Sequence, residues 1–77
     1  MEDISVFIGK IESEIEGLTP GSLKPDTKFR ELPEWSSMHA LIIIALAETE
    51  YDVTISGEDL RKCFSIQDIY NLISSRS

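Results

Sequence analysis

Apolar residues recur at three- and four-residue steps through Ile4, Phe7, Ile8, Ile11 and Ile15, the stripe of an amphipathic helix. Asp3 precedes the stripe as a candidate N-cap and Gly17 follows it as a candidate C′ residue. The pattern therefore predicts a first helix from about Asp3 to about Glu16, with Lys10, Glu12, Glu14 and Glu16 outward. Residues 18 to 35 then form a long connection punctuated by Pro20, Gly21, Pro25 and Pro33. A structureless loop of that length is unusual in a compact domain, so it should be pinned to the helices. Leu18, Leu23, Phe29, Leu32 and Trp35 are the apolar residues able to do so, and Phe29 to Leu32 suits a helical turn.

A second helix is expected to open at Ser36 or Ser37 and run to about Tyr51. Leu41 to Ile44, taken alone, suits a buried strand by its β-branching. The alanines at 40, 45 and 47 and the lack of a turn signal before Tyr51 favour helix instead. A helix apolar nearly all round belongs at the centre of a bundle or against a partner. Val53 to Ile55 reads as a short extended link. Ser56 caps a brief helix, and Ser65 caps a final one with buried stripe Ile66, Ile69, Leu72 and Ile73. The order predicts an all-α fold over residues 1–77: a small four-helix bundle with a long first loop and a short third helix.

Composition narrows the function. At 77 residues there is room for one small domain. The net charge of −7, from 14 acids against 7 bases, argues against nucleic-acid partners, which need clustered cations. The acids either steer basic protein partners or simply keep the chain soluble. A single cysteine, Cys63, cannot form an internal disulfide and fits a reducing compartment. With His39 it completes the soft-ligand inventory, so no metal cluster is expected. The longest apolar run, Ala40 to Ala47, is too short to span a membrane, and the first residues lack signal-peptide character. These features predict a cytoplasmic monomer. Cys63 and His39 do not make a catalytic pair: Cys63 suits a small core residue, and His39 is expected to be exposed with no orienting partner. The chain is not expected to be an enzyme.

The passage Pro33-Glu34-Trp35-Ser36-Ser37-Met38 closes the long loop with a serine that opens helix two. Ala47 to Ile55 adds acids, an aromatic residue, Asp52 and a terminal isoleucine, and Ser65-Ile66-Gln67-Asp68-Ile69 opens the last helix. Together these segments resemble the acyl carrier protein family, without a gap from Ser37 to Ile73. The resemblance implies that Ser37 carries a covalent 4′-phosphopantetheine arm, installed by a phosphopantetheinyl transferase. The family motif is Asp-Ser-Leu. Met38 replaces the leucine with little change in volume, whereas Ser36 replaces the aspartate associated with metal-assisted transfer of the arm.

Physical chemistry is compatible with that assignment. A phosphodiester on a serine in the first turn of a helix lies beside free N–H groups and the positive dipole end. Taken without the rest of the chain, Ser36 and Ser37 would be read as helix caps. The family also presents an acidic face on helix two to its enzymes. The matching positions here are His39, Ile42, Ala45, Glu48 and Thr49, with Ser36, Met38 and Leu41 beside them. Only Glu48 keeps its charge, so a more apolar partner surface is expected. The alternative for Ile42 is that it packs beneath the loop. Glu48, Glu50 and Asp52 gather at the unfavourable end of the helix dipole, as either a binding cluster or solvated acids. Ala40 and Ala47 suit either a sheltered acyl chain or close helix packing.

The resemblance thus implies a carrier of acyl thioesters for fatty acid or specialised acyl or polyketide-type biosynthesis. Its partners would be acyl-loading, elongating or acyl-transferring enzymes. The alternatives are an aminoacyl or peptidyl carrier and an unmodified helical adaptor.

Overall fold

A computed structural model describes residues 2–15, 21–32 and 35–77. Among these residues four helices follow in order: α1 (Ile4–Glu14), α2 (Ser37–Tyr51), α3 (Gly57–Arg61) and α4 (Ile66–Arg76). A 3-10 turn, Phe29–Glu31, precedes α2, and no strand occurs among the described residues. The Leu41–Ile44 stretch is helical, as its alanine neighbours favour.

α1 begins where the stripe begins, yet Asp3 makes no side-chain capping bond. The helix ends at Glu14, short of the expected Glu16, because Ile15 is extended (φ −101°, ψ 112°) and turns into the core. The proposed Gly17 C′ position, Glu16 on the outer face and the Leu18, Pro20, Pro33 and Glu34 positions lie outside the described residues. The loop is pinned as anticipated by Leu23 and Phe29, both buried, with Leu32 and Trp35 half-buried. Polar bonds pin it as well. Glu12 Oε2 accepts the N–H groups of Gly21 and Leu23 at 2.9 and 3.0 Å. Gly21, at φ +86°, occupies the left-handed region that disfavours side chains.

α3 and α4 start with reciprocal caps. Ser56 accepts from the Asp59 N–H, and Ser65 from the Asp68 N–H, while each aspartate reaches back to its cap. The free first-turn N–H groups of Ile66 and Gln67 donate to the loop carbonyls of Thr27 and Pro25 at 3.1 and 2.8 Å. Loop and α4 therefore satisfy one another's backbone.

The core is a single apolar cluster with no buried charged or polar residue among those described. Phe7 of α1 meets Tyr51 of α2 and Tyr70 of α4, with ring centroids 5.8 and 5.7 Å away. Ile66, Ile69 and Ile73 of α4 are buried as expected, but Leu72 is only half-buried. Cys63 is buried, and burial raises its thiol pKa. No described helix is long and apolar enough to cross a membrane.

Candidate functional site

α2 packs through Ile43, Leu46 and Ala47, so the opposite face of this mostly apolar helix is left uncovered. Ser37 is its first residue and is exposed, as is Ser36 at the N-cap. Met38 and Leu41 are 67% and 66% exposed, high values for large apolar side chains. Ala45, Glu48 and Thr49 continue the same exposed face, and the Thr49 hydroxyl donates back to the Ala45 carbonyl at 3.0 Å.

Two expected members of that face are placed differently. Ile42 is half-buried against the core, a position between the two readings of it. His39, expected to be exposed and without an orienting partner, is half-buried and held. The Ser36 N–H donates to His39 Nδ1 at 3.1 Å, and the Trp35 ring lies 5.7 Å from the imidazole. The reason is local: position 39 is the third residue of α2, from which a side chain reaches back to the N-cap amide. With Nδ1 accepting, the neutral ring carries its proton on Nε2. His39 thus orders the backbone immediately before Ser37.

The acids at the other end of α2 separate. Glu50 faces Lys10 at 3.3 Å, Glu48 stays exposed, and Asp52 takes the left-handed conformation (φ 55°) that ends the helix. Aspartate tolerates that region better than most side chains. Ala47 is fully buried and serves packing. Ala40 instead borders an open groove.

That groove, of about 380 Å³, lies beside Ser37 between α2 and α3. Ala40, Leu41, Ile44 and Leu60 give it apolar walls, and Arg30 and Arg61 also line it. Sequence reasoning missed both arginines: Arg30 lay within an expected helical turn, and Arg61 drew no reading. Their signal was present as two scarce cations in an acidic chain, but nothing local ties residue 30 to residue 61. A second crevice, walled by Ile11, Phe29, Trp35 and Ile66 in the core, holds only about 10 Å³, roughly one water.

Among the described residues, no group of three or more histidine, cysteine, aspartate or glutamate side chains is arranged to hold a metal ion. Ser37 and Met38 differ from the start of α4 in one respect: no loop carbonyl among the described residues accepts from their N–H groups. An exposed hydroxyl and first-turn amides suit an anionic group at Ser37, beside a groove with apolar walls and two arginines. Comparison with family profiles, characterised proteins and solved structures returns no match to this chain.

Proposed function

We propose that this helical bundle is of acyl carrier protein type and holds acyl groups on a 4′-phosphopantetheine arm joined to Ser37. The observation that carries the reading is an exposed Ser37 at the start of α2, opening beside the α2–α3 groove. It is supported by the resemblance of the flanking segments. When attached, the arm supplies a terminal thiol that holds the acyl group as a thioester.

In this reading Ser37 Oγ displaces the nucleotide portion of coenzyme A from the phosphorus bearing pantetheine. The O–P bond forms as the pyrophosphate bridge breaks, and the serine proton passes to the transferase. The chain itself needs no catalytic base. First-turn amides of α2 face the resulting negative charge, and the His39–Ser36 bond fixes where that turn begins. Met38 and Leu41, with Ala45, Glu48 and Thr49, form the surface offered to the transferase and to acyl-loading, elongating or acyl-transferring enzymes. Such contacts rest on apolar burial more than on charge. The protein would work as a cytoplasmic monomer.

Intact mass after incubation with coenzyme A and a broad-specificity phosphopantetheinyl transferase is the direct test. We expect the mass of one arm to be added, lost in Ser37→Ala and kept in Ser36→Ala. Addition that persists in Ser37→Ala would refute the assignment of the residue. The replacement of the motif aspartate by Ser36 favours a second reading, an unmodified adaptor of the same shape. Failure of every transferase tried, including those of the source organism, would select it.

A further inference from the structure

The groove beside Ser37 has a charge pattern that its apolar walls do not explain. Arg30 and Arg61 line it, and no carboxylate among the described residues does. Arg30 is held in place: a guanidinium N–H donates to the Leu60 carbonyl, and the group lies 5.4 Å from the Phe29 ring centroid. That carbonyl belongs to the residue before Arg61, so the Arg30 head reaches the end of α3 that carries Arg61. Lys10 and Arg76 are spent in ion pairs with Glu2, Glu50 and Asp59. Neither groove arginine has such a carboxylate partner among the described residues. In a chain with 14 acids and 7 bases, this is a local inversion of charge.

An arginine carries five N–H donors in a planar fork, and the Leu60 bond uses one group of them. The rest of the fork matches the geometry of a carboxylate. The groove's volume of about 380 Å³ falls within the usual range for small-molecule sites, and apart from Ser37, Gly57 and the two arginines its lining side chains are apolar. The core crevice, at about 10 Å³, offers no competing space. Resting on the carrier reading, we propose that the groove selects cargo with an anionic far end: the half-thioester of a dicarboxylic acid. Its methylenes would lie on Ala40, Leu41 and Ile44, and its free carboxylate at Arg30 and Arg61.

The test compares two cargoes of equal carbon count. A transferase loads the protein from hexanoyl- and adipyl-coenzyme A, and intact mass verifies each product. Hydroxylamine cleavage of the two protein thioesters is then timed, with the free coenzyme A thioesters correcting for intrinsic reactivity. We expect the adipyl thioester to be cleaved roughly fivefold more slowly than the hexanoyl one at low salt, as one exposed ion pair allows. The difference should collapse in Arg61→Gln and at high salt, where exposed charges are screened. Amide resonances of Ile44 and Arg61 should shift further in the adipyl form. Arg30→Gln should act likewise, but it also removes the Leu60 bond, so Arg61→Gln is the deciding variant. Equal corrected rates and equal resonances on a protein that carries its arm would overturn the anionic-cargo inference and leave the carrier reading intact. Failure to attach any arm would overturn both.

Discussion

His39 and Ser36 divide the work at the start of α2, and each can be tested separately. The imidazole accepts the Ser36 amide, so His39→Ala should destabilise the protein by about 0.5–2 kcal/mol, the usual range for a lost cap. Chemical denaturation measures this directly, and no change would mean that the bond contributes nothing. Ser36→Asp should keep the helix start, because aspartate is as good an N-cap as serine. In the carrier reading it also restores the family motif, so the rate of arm attachment should rise. A slower or unchanged rate would show that Ser36 is matched to a different transferase. Tyr51 offers a third test at this scale. Its buried hydroxyl lies near the Glu2 carboxylate without making a hydrogen bond of good geometry, and burial pushes its pKa up to about 12. Tyr51→Phe removes an unsatisfied polar atom while keeping the ring against Phe7 and beneath the Lys10 ammonium. Its melting temperature should be unchanged or higher, since removing such a group recovers its desolvation penalty.

Between elements, the aspartates do more than cap. Asp59 accepts the Ser56 amide and receives the Arg76 guanidinium at 2.8 and 3.1 Å, while Arg76 also donates to the Thr54 carbonyl. One cation thereby ties the start of α3, the extended link and the end of α4. The Arg76 bond holds the Asp59 carboxyl well below its usual range. Backbone N–H groups of Phe64 and Ser65 lower Asp68, and Lys10 lowers Glu2 to about 2. All three are depressed relative to the unfolded chain. Their contribution is complete above the unfolded carboxyl pKa, about 4, and is lost as pH falls through the folded values. Acid titration should therefore show stability declining from about pH 4 towards pH 2. Arg76→Gln should flatten part of that decline by returning Asp59 towards its unfolded value. An identical pH profile in that variant would show that the Asp59–Arg76 contact does not stabilise the fold.

At the scale of the molecule, three helices meet on Phe7. It is fully buried and touches aromatic rings from α2 and α4, so it joins segments separated by most of the chain. Phe7→Ala should cost about 3–5 kcal/mol through lost burial and the cavity left behind. A domain of this size has a total stability of roughly 4–12 kcal/mol. The variant should therefore melt far lower or be largely unfolded at room temperature, by circular dichroism. A near-native melt would place the centre of the core elsewhere.

The helices were legible because their signals are local. The Ile4–Ile15 stripe, the serines at 56 and 65 with aspartates three residues on, and the alanines around Leu41–Ile44 act within a turn or two. Even the misplaced end of α1 follows the same logic: Ile15 leaves the helix to reach a core that the stripe cannot reveal. The exposure of Ser36, Ser37, Met38 and Leu41 was expected from the family resemblance and not from periodicity, because α2 is apolar nearly all round. By itself, then, the sequence determined four helices, their order and a serine at the head of the second. The hold on His39 is local, a contact with Ser36 three residues before it, whereas only the tertiary structure decided that Ile42 is half-covered and that Arg30 meets the end of α3 beside Arg61. Those outcomes depend on residues far apart in the chain being packed together. Periodicity records which side of an element is apolar, not which distant side chain will come to rest against it.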